Sequence, residues 1–284
     1  MTSTWRTAAL LAGGASVLAI APKVQVLPHP LAPRVDVTID GKPLASYSYL
    51  TAMARPALVS LHAANGAPIT QDDETSDGRR AAGFWFAHGN VNGIDFSAAR
   101  LVHRRVVEAH SSDTQGRLAV QTAWTATDGS TLVLEDTYFT FAGTERERVV
   151  DRVTRLAAVN GPVRLGATTR ALVGLQLAGG FDPGEAVSDG QADRISPCAE
   201  SRGRWIAMPG ILAGQSTTVA LFDHPGNAGS PNVVRCRADA LELAPGGDIQ
   251  IEGGASVTFR YRLVIVDGRP SAAEIERRFR EFEG

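Results

Sequence analysis

From residue 35 onward the chain alternates apolar and polar positions in short runs, and most runs stop at glycine, asparagine or aspartate. Residues 35–39 alternate, Asp40-Gly41 turns, and residues 44–49 return. A period of two marks a strand with one covered face, and Asp-Gly between two such runs signals a hairpin. Residues 55–62 read as a further strand that turns at Asn65-Gly66, and residues 101–106 as another. Residues 118–126 alternate, Asp128-Gly129 turns, and 132–141 alternate back, which is the clearest hairpin in the chain. Residues 146–159 fit two periods. Val149, Val153 and Leu156 suit a helix, but the β-branched content suits a strand, and we read a strand. Residues 163–178 give two short strands, 179–196 a Gly/Asp/Pro-rich loop, and 205–208, 217–222 and 257–266 further strands. The chain then changes period. Ser271 with Glu274 three residues later forms a capping box, and Ile275, Phe279 and Phe282 make one apolar helical stripe.

Many short alternating strands separated by turn residues predict an all-β sandwich or barrel. With this many strands we expect a large antiparallel β-sandwich with one C-terminal helix. In shape this is the supersandwich of galactose-mutarotase-like proteins, and a likeness of shape licenses no function. Residues 22–284 are expected to form a single β-sandwich domain. Before them, Arg6 is followed by an apolar, small-residue run ending in Ala19-Ile20-Ala21, which reads as a secretory signal peptide over residues 1–21. The alternative is an ordered first strand. The signal reading places the protein in a secreted or periplasmic setting, and the alternative leaves it cytoplasmic. Pro22, Pro28, Pro30 and Pro33 make residues 22–34 a linker or an edge segment.

Composition narrows the function classes. The 284 residues carry a formal net charge of −2, so a basic face for nucleic acid is not expected. No apolar run is long enough for a membrane-spanning helix. Cys198 and Cys236 are too few for a disulfide scaffold. They read as two buried thiols, with one bridge as the alternative. No phosphate-binding loop, dinucleotide fingerprint or serine-nucleophile elbow is present, and no cofactor is expected. His62 stands alone on an apolar stretch and reads as structural.

The densest chemistry lies at residues 83–96, Gly-Phe-Trp-Phe-Ala-His-Gly-Asn-Val-Asn-Gly-Ile-Asp-Phe. Phe84, Trp85 and Phe86 suit a strand with two covered faces, and Gly89 and Gly93 bracket Asn90 and Asn92 as in a tight turn. His88, Asn90, Asn92 and Asp95 are therefore candidates for one polar cluster at a sheet edge. The blander reading is a turn whose Asn and Asp side chains bond their own backbone.

This stretch resembles the signature of a bacterial domain-of-unknown-function family labelled PmoA, or methane oxygenase PmoA-like. Gly83, Trp85, Phe86, His88, Gly89, Val91, Asn92, Gly93, Asp95 and Phe96 match it, and Asn90 stands where that family has Asp. A histidine-rich prefix in that family is replaced here by residues 77–82, of which only Asp77 matches. A second stretch, Phe222-Asp223-His224-Pro225-Gly226-Asn227 with Pro231, resembles another motif of the same family. Near residues 166–174 its Lys and Glu are missing. Arg235 lies near its Arg, and His103 falls in a strand that often carries a His. The resemblance implies a protein of sugar catabolism.

These residues lead to two expectations of different class. The first is a hydrolase, lyase or epimerase in which His88 and His224 move protons, since imidazole titrates near neutrality. Asp223 would be the partner carboxylate. Asn90, Asn92, Asp95, His103, Asn227 and Arg235 would hold a small-molecule carbohydrate. The second is a non-catalytic sugar-binding or structural relative that has lost the family's reactive residues. A metal would need His88, His103, His224 and Asp223 to converge without any local ligand spacing, and none is expected.

Overall fold

The computed structural model describes residues 23–71, 83–97, 101–168, 172–189 and 201–284. The proposed signal peptide, the altered prefix at 77–82 and Cys198 lie outside the described residues. In chain order the first strands are β1 (Val24–Pro28), β2 (Arg34–Ile39), β3 (Lys42–Ser48), β4 (Ala57–Val59) and β5 (Phe84–Phe86). Four long strands follow: β6 (Leu101–His110), β7 (Gly116–Thr125), β8 (Thr131–Gly143) and β9 (Glu147–Ala158). Next come the short β10 (Val163–Leu165), β11 (Val173–Gln176), β12 (Val187–Ser188) and β13 (Ser201–Arg202). The last are β14 (Trp205–Leu212), β15 (Gln215–Asp223), β16 (Val233–Arg237), β17 (Ala240–Ala244), β18 (Ile249–Ile251) and β19 (Ser256–Asp267). A helix, α1 (Ala272–Glu283), follows.

The strands make a large antiparallel β-sandwich, as the alternation predicted. A nine-stranded sheet runs β1-β2-β3-β4-β5-β11-β17-β16-β13, and an eight-stranded sheet runs β12-β14-β15-β19-β9-β8-β7-β6. The inner faces meet in one core, where Val35, Val37, Leu44, Phe84 and Phe86 of the first sheet pack with Trp124, Phe139, Phe141, Phe259 and Tyr261 of the second. Burial in β8 and β9 alternates strictly along most of each strand, so the two-fold period is spent on one covered face.

Local chemistry explains the turns. Asp40 and Gly41 take φ of 51° and 71°, the left-handed pair that a two-residue hairpin of this twist requires. The ambiguous stretch is the strand β9, held between β8 and β19, where pairing on both edges outweighs a helical stripe of three residues. β1, with its proline, lies at a sheet edge, where a missing ladder donor costs nothing. His62 donates Nδ1–H to the Ser60 carbonyl at 2.7 Å, a local bond that suits its structural reading.

α1 covers the outer face of the eight-stranded sheet. Ile275 and Phe279 are buried against Trp205, Ala207, Ala220, Phe222, Val264 and Val266. The capping box of Ser271 and Glu274 forms as read. No helix of the described residues is long and apolar enough to cross a membrane. Cys236 is disulfide-bonded, which overturns the expectation of two buried thiols. An inert thiol and a half-cystine need the same burial, so residue type did not separate them.

Candidate functional site

The first motif folds around β5, whose three residues are all buried. Gly83 sits at φ 68°, and a Cβ there would meet the Leu58 carbonyl oxygen at 1.8 Å, so only glycine fits. Gly174 is equally constrained, because a Cβ would press on the Trp85 indole at 2.4 Å. The Arg55 guanidinium lies over the Trp85 indole, 4.4 Å from the ring centre.

After β5 the polar residues turn inward on the backbone. His88 is fully buried. Its Nδ1 accepts the Asn90 N–H at 3.0 Å, which leaves the proton of the neutral ring on Nε2. That nitrogen is buried without a partner. Burial pushes the imidazole down to about 4, against the opposing charges of Asp248 and Asp95. Asn90 donates Nδ2–H to the Ala167 carbonyl and accepts the Gly93 N–H. Asn92, at φ 52°, donates to the Pro162 carbonyl and accepts the Arg164 N–H at 2.8 Å. Asp95 accepts the N–H and hydroxyl of Ser97. The cluster ties one loop to β10 through backbone groups, the blander of the two readings.

The second motif ends β15. Asp223 is fully buried and accepts Asn227 Nδ2–H at 2.8 Å and the Asn232 N–H at 3.1 Å. Burial pushes its carboxyl up to about 6, although bonds from Asn227, Ser230 and Asn232 favour the charged form. Asn227 also donates to the Arg260 carbonyl and accepts the Arg260 N–H, each at 2.7 Å, so its amide stands in for a strand partner of β19. His224 accepts the Gly226 N–H on Nδ1 and meets Phe282 of α1 edge-on at 5.4 Å. Arg235 is half-buried on β16, opposite Glu242 of β17.

The expected meeting of His88 and His224 is not what these contacts describe. His88 lies in the loop after β5 of the nine-stranded sheet, bonded to Asn90, whereas His224 follows β15 of the other sheet and packs against α1. No partner is common to both among the described contacts. Each ring takes the N–H two residues ahead on Nδ1, so the turns that fix the imidazoles also occupy one nitrogen of each. Among the described residues, no group of three or more His, Cys, Asp or Glu is arranged to hold a metal ion.

A third polar cluster was not read from the sequence. Tyr47, Pro56, Phe86, Leu101, Val120, Thr122, Glu135, Thr137, Phe139 and Arg152 line a narrow crevice. Glu135 and Arg152 are each 4% exposed and form an ion pair at 2.8 Å. Both carboxylate oxygens are engaged. Oε1 accepts from Arg152 Nη2 and the Thr137 hydroxyl, and Oε2 accepts Trp124 Nε1–H at 2.7 Å. Arg152 Nε–H goes to Thr154 at 2.9 Å. The guanidinium lies 4.9 and 5.1 Å from the centres of the Phe86 and Phe139 rings. Its hydrogen bonds use Nε and Nη2, and Nη1 makes none. Burial, then the Glu135 charge, pushes the Tyr47 phenol well up.

One predicted residue borders this cleft. His103 of β6 meets the Tyr47 hydroxyl through Nδ1 at 3.3 Å and stacks on Tyr49 with ring centres 4.0 Å apart. Tyr49 and His103 are half-buried. The sequence signal for the cleft was present. Val133, Glu135, Thr137, Phe139 and Phe141 share one phase of β8, and Thr154 and Arg152 share the facing phase of β9. A glutamate and an arginine on the apolar phase of neighbouring strands mark a buried pair.

The chain matches the profile of a family of unknown function, DUF6807, over residues 34–280. This corrects the resemblance to the PmoA-labelled family, and nothing about methane oxygenases is carried forward. No curated protein matches the chain. Several solved structures are similar in outline. A putative aldose 1-epimerase from Escherichia coli K12 is 13% identical, with a TM-score of 0.39 over 86% of this chain and 99% of that one. A galactose 1-epimerase from Lactobacillus acidophilus NCFM is 9% identical, with a TM-score of 0.43 over 87% and 98%. A GH36 α-galactosidase from Geobacillus stearothermophilus is 10% identical, with a TM-score of 0.45 over 86% of this chain and 41% of that one.

Proposed function

This chain belongs to DUF6807, a family of unknown function, and we propose that it is a non-catalytic carbohydrate-binding protein whose ligand enters the cleft of Tyr47, Phe139 and Arg152. The observation that carries this reading is Arg152, a guanidinium buried between aromatic rings with one nitrogen left unused. A mostly apolar cleft with a few fixed polar groups is the usual make-up of a small-molecule site. A sugar offers an oxygen-bearing edge for the guanidinium and an apolar face for the half-buried Tyr49 and His103 beside it. The crevice is far smaller than the roughly 300 Å³ at which drug-sized sites begin, so it can take a single group from the edge of a sugar, with the ring left at the mouth. The stacked Tyr49 and His103 lie beside the Tyr47 rim, where they would flank an entering ring.

A hydrolase, lyase or epimerase built on His88, His224 and Asp223 would need the two rings to reach one ligand atom. The hydrogen bonds described above spend both Nδ1 atoms and the Asp223 carboxylate on local backbone and amides. The cleft has one carboxylate, Glu135, and both of its oxygens are bound. Binding is therefore the better-supported role.

The disulfide at Cys236 supports a secreted or periplasmic setting, because such bonds persist in oxidising compartments.

Thermal unfolding with a panel of monosaccharides and their derivatives tests the proposal. A ligand at about ten times its Kd stabilises by roughly 1.4 kcal/mol, which in a chain of this size is a rise of about 2–3 °C. The double substitution Glu135→Leu with Arg152→Met removes both charges together, which costs far less than removing one. It should keep the melting temperature within a few degrees and lose the ligand response. A panel that never moves the wild-type transition would end the proposal.

A further inference from the structure

The charged groups of the cleft leave donors unused, and no charged acceptor. Glu135 accepts three bonds, from Arg152, Thr137 and Trp124. The Thr137 hydroxyl spends its proton on Glu135 and also meets Thr154 Oγ1 at 3.1 Å. What is left over is mostly donor. Arg152 Nη1 carries two N–H groups with no acceptor, and a guanidinium has no acceptor of its own. The Tyr47 hydroxyl can turn its proton toward the cleft or toward His103. A sugar hydroxyl placed there would accept from Nη1 but would bring its own O–H, for which the strong acceptors are already taken. A buried O–H left unmatched costs about 1–3 kcal/mol. A carboxylate brings acceptors and no proton, and it matches the planar edge of a guanidinium.

We propose that the carbohydrate taken by this cleft is a sugar acid, a uronate or aldonate, whose carboxylate is received by Nη1 of Arg152 with help from the Tyr47 hydroxyl. This rests on the binding role proposed above and names its substrate class. The Glu135 partnership serves the same end. Glu135 holds the guanidinium by Nη2 and Thr154 holds it by Nε, which leaves Nη1 without a hydrogen bond among the described residues. The Glu135 charge also keeps a buried Arg152 from being a lone cation, which would be costly without a ligand.

Calorimetric titration of the full chain with D-galacturonate, D-glucuronate and D-gluconate, against D-galactose, D-glucose and sodium acetate, tests it. At least one acid should bind tenfold or more tightly than its parent neutral sugar, since a hydrogen bond to a charged group is worth at least that ratio. It should also bind more tightly than acetate. Arg152→Lys keeps a cation beside Glu135 but cannot offer the fork, so it should weaken the acid about tenfold, and more than it weakens the neutral sugars. Should that variant fail to fold, the wild-type ranking of acid over neutral sugar decides alone. Equal affinity for neutral and acidic sugars would overturn the sugar-acid assignment and leave the binding role standing. Acetate binding as tightly as the acids would overturn it as well, since the ring would then contribute nothing. An acid that binds Arg152→Lys as it binds wild type would place the site elsewhere. Binding of no sugar of either kind would remove both proposals.

Discussion

A histidine inside a motif invites a catalytic role, and the fate of its two ring nitrogens decides the matter. In His88 one nitrogen accepts a backbone N–H and the other is buried without a partner. Its ring is held neutral, with a folded value near 4 against an ordinary 6.5. A base depressed on folding contributes stability that is fully present above pH 6.5 and is lost as the pH falls toward 4. Asp223 has the opposite sign. Its folded value near 6 lies above the ordinary 3.8, so its contribution is present below pH 3.8 and lost as the pH rises through 6. Between pH 4 and 6 the two oppose each other and flatten the acid side of the wild-type profile. Urea midpoints measured from pH 4 to 7 should separate them. Asp223→Asn should steepen the loss toward pH 4, and His88→Leu should reduce it. A His88→Leu profile parallel to wild type would mean that the ring ionises freely in the folded protein.

At the scale of elements, α1 shows what a periodic stripe is worth. Phe279 is fully buried, touches Phe222 edge-on at 5.8 Å and lies under the Arg204 guanidinium at 4.7 Å. The same Arg204 bonds Asp189 and Glu276, and Trp205 donates its indole N–H to Glu276 at 2.8 Å. Phe279→Ala should therefore cost about 3–5 kcal/mol, the usual range for a buried phenylalanine, measured as the shift in denaturant midpoint. A loss under 1 kcal/mol would mean that the helix is an ornament on the sheet. This helix and the two Asp-Gly hairpins were legible because cap, turn and period agree within a few residues. β9 was ambiguous because three apolar residues fit both periods, and its neighbours on either side settled it. β10, β12, β13 and β18, at two or three residues each, are too short to carry a period at all. The motif residues were open to two readings for a related reason. Asn, Asp and His are the right residues both for holding a sugar and for closing a turn, and only long-range partners tell the two apart. Glu135 and Arg152 stood on the apolar phase in plain view, but their pairing depends on the register of β8 with β9, which no local pattern states.

For the whole molecule, polar chemistry is spread over three places: the β5 loop, the end of β15 under α1, and the cleft between the sheets. The first two stitch segments distant in sequence, as Asn92 does with Arg164 and Asn227 with Arg260. The disulfide at Cys236 adds a covalent tie on β16, one strand in from the β13 edge of the nine-stranded sheet. Cys236 is 7% exposed, so reductants should reach it slowly in the native protein and quickly on unfolding. Removing such a bond from a folded chain typically costs about 2–4 kcal/mol. Protein made in an oxidising compartment and denatured without reductant should show no thiol that reacts with a colorimetric disulfide reagent. Reduced protein should melt several degrees lower and regain its midpoint on reoxidation. Two reactive thiols per chain in the unreduced, denatured protein would contradict both the tie and the oxidising setting inferred from it.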